Sequence, residues 1–182
     1  MKIILASASP RRKELLAQIC DFTVEPSLFE ESAKGLSACD TVLAFARGKA
    51  REVASRFPRE TVLGADTVVA LGGEILGKPK SKEDAVRMLK QLSGKVHTVY
   101  TGVCIVRGER EITQVVASKV VFNELSDTLI EEYVSSGLPL DKAGAYGIQD
   151  GYPLVERFEG SYTNIIGLPV EETRKMLEEV VC

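Results

Sequence analysis

The sequence lacks the features that mark several common classes of protein. Its 23 basic and 26 acidic side chains give a formal net charge of −3, without the positive excess by which nucleic-acid-binding domains displace counterions. No uninterrupted apolar run approaches the roughly 20 residues of a membrane-spanning helix. We therefore expect a soluble protein with neither a nucleic-acid nor a membrane partner, and any anion site must be local.

Cysteine is scarce and scattered. The four cysteines form no C-x-x-C pair, which excludes the usual zinc spacing and predicts reduced, partly buried thiols. They are Cys20, Cys39, Cys104 and Cys182. A short apolar opening is followed by Arg11 and Arg12, the reverse of the charge order in a secretory signal. These observations predict a cytoplasmic protein.

Several catalytic and nucleotide-binding motifs are also missing. The chain has no Walker A sequence and no G-x-G-x-x-G, which disfavours P-loop and Rossmann nucleotide binding. It has no nucleophile elbow, and nothing places its single histidine, His97, near a cysteine. We expect His97 to be a half-buried strand residue and not a ligand.

What the chain does contain is typical of one globular domain. Its 182 residues are 45% hydrophobic and 27% charged, enough to bury roughly 70% of the unfolded surface without disulfides or metal. We find no repeat and no linker, so residues 1–182 are expected to form a single domain. Hairpins mixed with crossover helices predict an α/β fold with a mixed sheet.

Residue patterns place the elements of this fold. Predicted strands cover 2–6, 22–25, 61–71, 74–76, 96–106 and 111–122. Predicted helices run from Pro10 to about Cys20, from Asp40 to Phe57, from Ser81 to Gly94, from Asp127 to Ser136 and from Pro169 to Val180. The glycine-rich segment 138–152 holds more polar side chains than a passive linker needs.

Two adjacent arginines lie where a helix disfavours cations. Arg11 and Arg12 fall in the first turn of the first predicted helix, where unpaired N–H groups already carry partial positive charge. A bound phosphate would reverse this cost by accepting the N–H groups and pairing with guanidinium. The segment Ser7–Arg12 is therefore either a polyphosphate cradle or a solvated charge pair on an exposed helix start.

A carboxylate and an ammonium lie at unusual positions. Asp66 interrupts a strand between small and apolar residues, which predicts that its carboxylate faces a cavity. The alternative is a buried carboxylate that accepts backbone N–H groups. Lys49 lies at the border of a helix's buried stripe, from which it can also extend to solvent.

Five segments together give a resemblance that none gives alone. They are Ser7–Arg12, Gly64–Val69, Gly77–Pro79, Asp141–Gln149 and Glu159–Asn164. In this order and spacing, they make nearly the whole chain resemble the Maf family of nucleoside triphosphate pyrophosphatases. Asp141–Gln149 and the arginine after Pro10 are similar to the dTTP/UTP branch of that family.

The resemblance implies a fold and an activity. The fold is Maf/inosine triphosphatase-like, with an elongated mixed sheet flanked by helices and a cleft between two lobes. The activity is hydrolysis of dTTP and UTP between the α- and β-phosphates, to monophosphate and pyrophosphate, with Mg²⁺ or Mn²⁺. Alternatives are the same chemistry on 7-methyl-GTP or non-standard purine nucleotides, or a nucleotide-sensing regulator of cell division. A homodimer is also implied as possible.

The resemblance also assigns residue roles. Asp66 is implied as the proton acceptor, although it could equally be a metal ligand, a role also open to Glu30 or Glu31. Gln149 offers the donor and the acceptor that the edge of uracil or thymine requires, unless it bonds its own loop. Tyr146 either lines the base pocket or packs behind it. The implied substrate-binding residues are Ser7, Arg11, Arg12, Lys49, Thr67, Lys78 and Gln149.

Overall fold

A mixed sheet of seven strands forms the centre of the computed structural model, which describes residues 3–32 and 35–181. Its strands are β1 (Ile3–Leu5), β2 (Phe22–Val24), β3 (Thr61–Leu71), β4 (Glu74–Leu76), β5 (Val96–Arg107), β6 (Arg110–Phe122) and β7 (Val155–Glu159). The strand order is β2-β1-β3-β5-β6-β7, and β4 pairs with β3. The β1 strand is parallel to β2 and β3, and the remaining pairs are antiparallel.

Helices flank both faces of the sheet. They are α1 (Pro10–Leu16), α2 (Ala38–Arg56), α3 (Lys82–Leu92), α4 (Asp127–Ser135), α5 (Tyr162–Ile166) and α6 (Val170–Val181). Two short 3₁₀ turns, Leu138–Asp141 and Ala143–Ala145, follow α4. No helix in the described ranges is long and apolar enough to cross a membrane.

The apolar core is divided among three clusters. One lies between α2 and its face of β1, β3 and β5, and includes Ala46, Ala50 and Val62. A second lies on the opposite face under α1 and α6. The third joins the far end of the sheet to α3 and α4. The long strands β3 and β5 contribute residues to all three clusters. The segments that resemble the Maf family meet where these two strands pass from the first two clusters to the third.

Glycines let α2 approach the sheet closely. A Cβ at Gly64 would overlap the backbone oxygen of Ala46, and one at Gly102 would overlap that of Val42. Because alternate residues of a strand face the same side, Asp66 shares the α2 side with Gly64. This close packing brings Asp66 under the helix that carries Lys49.

The predicted α/β fold with a mixed, helix-flanked sheet is confirmed, with local differences. The first helix ends at Leu16 and not near Cys20, and the second begins at Ala38, two residues early. The predictions omitted β7 and α5. The β7 strand has no strand-like pattern because it contains three charged residues and lies mostly exposed at the edge of the sheet. The α5 helix has only five residues, too few to show helical periodicity. Predictions for residue 2 and Cys182 lie outside the described residues.

Candidate active site

Lys49 links two carboxylates at the bottom of a cleft. Its Nζ atom lies 2.7 Å from Oδ1 of Asp66 and 2.6 Å from Oε1 of Glu31. The Lys49 and Asp66 side chains are only 14% and 12% exposed. Lys49 therefore does not extend to bulk solvent. Asp66 pairs with a charged ammonium group, whereas the alternative expectation was that it accepts backbone N–H groups.

The environment of Asp66 favours a proton acceptor. Burial raises the pKa of Asp66 above its ordinary value, and the positive charges of Lys49 and Arg12 oppose that shift. The negative charge of Glu31 adds to the increase. A carboxylate balanced between desolvation and nearby cations is typical of groups that exchange protons in catalysis.

Arg12 is held from three sides. Its Nε donates to the backbone oxygen of Gly167 at 3.0 Å, and its Nη2 donates to Oγ1 of Thr67 at 3.1 Å. Its Nη1 donates to Oγ of Ser7 at 3.3 Å. Desolvation lowers the pKa of Arg12, and the charge of Asp66 opposes this; guanidinium nevertheless stays ionised. Arg12 thus presents a fixed positive charge beside Asp66.

Arg11 points across the cleft to the segment that follows α4. Its Nη1 lies 2.7 Å from Oδ2 of Asp141, and its Nη2 donates to the Asp141 backbone oxygen at 3.1 Å. The Arg11 side chain is 20% exposed. Neither arginine is a solvated charge at an exposed helix start, because each has polar partners that offset the cost of its position.

The cleft consists of two adjoining pockets that share Ser9, Arg11, Lys78 and Asp141. The first is lined by Arg11, Arg12, Asp66, Thr67, Lys78, Tyr146 and Gln149, among others. The second is lined by Ser7, Arg11, Glu31, Lys49 and Lys78, among others. The structure therefore brings all seven expected substrate-binding residues to one cleft, with Asp66 and Glu31 beside them.

Tyr146 lines the first pocket, and its hydroxyl is held by a buried histidine. Its hydroxyl lies 2.8 Å from Nε2 of His97, and both residues are buried. Burial lowers the pKa of His97 to about 4, so the imidazole is neutral near pH 7. His97 is the strand residue that the sequence predicts, although it is fully and not half buried, and it supports Tyr146.

A divalent ion fits the acidic side of the cleft only with help from a substrate. No group of three or more His, Cys, Asp or Glu side chains within residues 3–32 and 35–181 could hold a metal. Asp66 and Glu31 both contact Lys49 Nζ, so two hard oxygen donors already converge on one cation. Glu30 is exposed and belongs to no such group. Mg²⁺ commonly takes one or two carboxylates plus substrate phosphates, and Asp66 with Glu31 matches that donor set.

Comparison with known proteins shows the family of this chain. The family model described as Maf-like protein matches residues 2–180. The chain belongs to the Maf family. It is 50% identical to the dTTP/UTP pyrophosphatase of Pyrococcus furiosus, over 97% of this chain and 94% of that protein. It is also 50% identical to the dTTP/UTP pyrophosphatase of Myxococcus xanthus, over 97% of this chain and 91% of that protein.

Other Maf relatives carry the same description. The dTTP/UTP pyrophosphatase of Moorella thermoacetica is 49% identical, over 97% of this chain and 93% of that protein. The chain therefore spans nearly the whole length of relatives from both archaea and bacteria.

Some residues of this Maf cleft were missed by sequence reasoning. The backbone oxygen of Gly167 holds Arg12, and the α5 segment that presents it is fixed by Asn164. Asn164 is fully buried and donates to Val99 O at 3.2 Å and to Ser118 Oγ at 2.9 Å. The segment Glu159–Asn164 carries the family resemblance, but a supporting backbone contact leaves no signal of its own in one sequence.

Proposed function

We propose that this protein is a nucleoside triphosphate pyrophosphatase that hydrolyses dTTP and UTP to the monophosphate and pyrophosphate. The observation that carries the proposal is the location of four cationic side chains in the same cleft as one buried carboxylate. Arg11, Arg12, Lys49 and Lys78 come from three distant parts of the chain and line the same cleft as Asp66. The names of the relatives support this choice of substrates. We also infer a cytoplasmic location, which the free thiols of Cys20, Cys39 and Cys104 favour.

The cations serve to neutralise the triphosphate. A nucleoside triphosphate repels an attacking water through its dense negative charge, so catalysis of this reaction rests mainly on positioning and charge stabilisation. Arg12 is already fixed by Ser7, Thr67 and Gly167. It can therefore meet a phosphate oxygen with little reorganisation. Lys78 is exposed at the junction of the two pockets and can reach the same substrate.

Asp66 is proposed to orient and deprotonate the attacking water. Its burial raises the pKa of the carboxyl above the ordinary value, which makes the carboxylate a stronger base. Lys49 holds Oδ1 at 2.7 Å, so the position of the carboxylate is fixed before substrate arrives. The proton leaves water for Asp66 as the oxygen attacks the α-phosphorus, and pyrophosphate is the leaving group.

A divalent cation, Mg²⁺ or Mn²⁺, completes the proposal. Glu31 would hold it together with the substrate phosphates, and Asp66 would be a ligand only in the alternative in which it is not the base; the same role for Glu30 remains a prediction from the sequence alone. When bound, such an ion neutralises developing phosphate charge as a Lewis acid. The protein's own contribution is to keep both carboxylates within reach of the phosphate-binding cations.

Base selection is proposed for Gln149 in the first pocket. Gln149 is exposed there beside the fixed ring of Tyr146. Its amide can donate to a carbonyl and accept from the N–H of uracil or thymine. Cytosine and adenine present the opposite order of donor and acceptor on that edge, so Gln149 discriminates against them only if the orientation of its amide is fixed.

A nucleotide panel with product identification tests the proposal. Purified protein with Mg²⁺ or Mn²⁺ is expected to convert UTP and dTTP to monophosphate and pyrophosphate faster than CTP, ATP, GTP or 7-methyl-GTP. Gln149→Ala should lower kcat/KM for UTP by about tenfold or more, because a buried polar edge of the substrate loses its partner. It should change turnover of disfavoured nucleotides much less.

Three outcomes would contradict the proposal. Binding of nucleotides without turnover would favour a sensor over an enzyme. Turnover that is fastest with 7-methyl-GTP or a non-standard purine would keep the chemistry and replace the substrate. Release of orthophosphate instead of pyrophosphate would place the cleaved bond elsewhere.

A further inference from the structure

Tyr133 of α4 holds the turn that carries Gln149. Its side chain is fully buried, and its hydroxyl donates to Oδ2 of Asp150 at 2.6 Å. The same hydroxyl accepts the backbone N–H of Gly147 at 2.9 Å. Burial raises the pKa of this phenol, so the hydroxyl keeps its proton and makes both bonds. One buried hydroxyl thus fixes both ends of the turn 147–150.

Lys142 balances the charge of Asp150 inside the protein. The two side chains are 8% and 7% exposed, and Nζ of Lys142 lies 3.4 Å from Oδ2 of Asp150. The same Nζ lies 3.0 Å from Oδ1 of Asp141 and donates to the backbone oxygen of Leu138 at 2.5 Å. Buried charges are tolerated when they are paired and hydrogen-bonded. Removing Lys142 would leave the buried Asp150 carboxylate without its charged partner.

Gly147 lets the turn close directly over this charge. A Cβ at Gly147 would lie 2.7 Å from each carboxylate oxygen of Asp150, so a larger residue there would have to displace the carboxylate that Tyr133 and Lys142 hold. The turn is completed by the N–H of Asp150, which donates to the Gly147 oxygen at 3.2 Å. Gln149 lies within this turn and lines the first pocket. Its position therefore depends on the buried groups behind it.

The same network reaches the phosphate-binding side of the cleft. Asp141 contacts Lys142 through Oδ1 and Arg11 through Oδ2. Opposite charges therefore alternate from Arg11 through Asp141 and Lys142 to Asp150, and the chain ends at Tyr133. The backbone of this segment is also fixed to the end of β4, since Gly144 N donates to the Gly77 oxygen at 3.0 Å.

We propose that Tyr133, Lys142 and Asp150 are positioning residues that hold Gln149 against the base of the nucleotide. The inference rests on the proposed function, and it assigns the base preference of that site to residues buried behind the pocket. Without the Tyr133 hydroxyl, Gly147 loses an acceptor and Asp150 loses a donor. The turn can then shift while the phosphate contacts from α1, α2 and β3 stay in place.

Kinetics of Tyr133→Phe test this proposal. We expect the preference for UTP over CTP in kcat/KM to fall about tenfold, mainly through a higher KM for UTP, because the turn loses two hydrogen bonds. Competitive inhibition by pyrophosphate reports the phosphate site without a base, and its inhibition constant should stay within about twofold. A merely structural role would lower the melting temperature without separating these two readouts.

Tyr152→Phe is the matched control. The Tyr152 ring packs on that of Tyr133 with centroids 4.7 Å apart. Among the described residues, however, it is the Tyr133 hydroxyl that holds the turn. The control should therefore keep the UTP preference. If Tyr133→Phe does not fold, Asp150→Asn provides the test, because it keeps an acceptor for Tyr133 and removes the charge facing Lys142.

The outcomes separate this inference from the proposed function. Wild-type protein that releases no pyrophosphate from UTP refutes the proposed function itself. If the wild-type protein turns over UTP and the folded variant keeps the full UTP preference, the positioning role is overturned. The role is also overturned if the inhibition constant of pyrophosphate rises as much as the KM for UTP.

Discussion

Asp66 and Lys49 form the charged pair on which the chemistry of the cleft depends. The carboxylate is desolvated by the fold, and the ammonium 2.7 Å away limits how far its pKa rises. In the proposed mechanism Asp66 acts as a base and Lys49 as a partner for anions. A single pair of side chains therefore links the acid–base chemistry to the electrostatics of substrate binding.

Lys49→Met should shift the pH dependence of catalysis. Burial raises the pKa of Asp66 and Lys49 lowers it, so removing the ammonium should raise the pKa further. Activity requires the ionised carboxylate and is lost as pH falls through this pKa. We expect the acid limb of the kcat/KM profile to move to higher pH by about one unit, besides a lower maximal rate. The measurement is kcat/KM for UTP against pH.

Lys49→Arg is the control for this shift. It keeps a positive charge beside Asp66, so the acid limb should stay near that of the wild type even if the rate falls. Because both variants use the same UTP, ionisation of the substrate affects both profiles equally. An acid limb that does not move in Lys49→Met would show that Asp66 is not the group whose ionisation governs the rate.

Arg11 and Arg12 show what one sequence predicts about a residue and what it does not. Their misfit at a helix start correctly indicates that they have partners. It does not indicate that Arg12 is buried against the Gly167 oxygen or that Arg11 pairs with Asp141, 130 positions away. Those partners depend on which loops meet at the cleft, and the fold decides that.

At the scale of elements, α2 and β3 determine where the active-site groups meet. The helix can approach the sheet because Gly64 and Gly102 offer no side chains under it. Ala46 and Ala50 of α2 fill the contact with small, fully buried groups. Lys49 then extends from the edge of this contact to Asp66, two residues beyond Gly64 on the same face.

Gly64→Ala should destabilise the protein by about 1 to 3 kcal/mol, because a methyl group there forces the α2 backbone away from β3. The added Cβ would overlap the Ala46 oxygen and lie 2.7 Å from the Ala50 nitrogen. Both are backbone atoms that cannot rotate away. Chemical denaturation measures this change in the free energy of unfolding. Loss of UTP turnover should accompany it, since Lys49 moves with the helix.

Gly77→Ala is the matched control at this scale. No described heavy atom lies within 4 Å of a Cβ at Gly77, and its φ is not in the left-handed region. The substitution should change the free energy of unfolding by less than about 0.5 kcal/mol. Equal stability of the two variants would contradict the close packing of α2 on β3.

At the scale of the whole molecule, the sequence predicts the long elements and the site residues better than their supports. Strong periodicity and glycine turns place β3, β5 and β6 within a residue or two. The exposed edge strand β7 and the five-residue α5 lack periodicity and were missed. The network from Arg11 to Tyr133 depends on contacts between α1, α4 and the segment after α4, and local patterns carry no information about such contacts.

The central claim about the molecule is that Asp66 acts as the base in a cleft lined by four cationic side chains, and Asp66→Asn tests it most directly. The measurement is the rate of pyrophosphate release from UTP with Mg²⁺, alongside UTP binding by the same variant. The account predicts that release falls by about 10² to 10⁴-fold, while the variant stays folded and still binds UTP. Release of pyrophosphate by Asp66→Asn at the wild-type rate would contradict it.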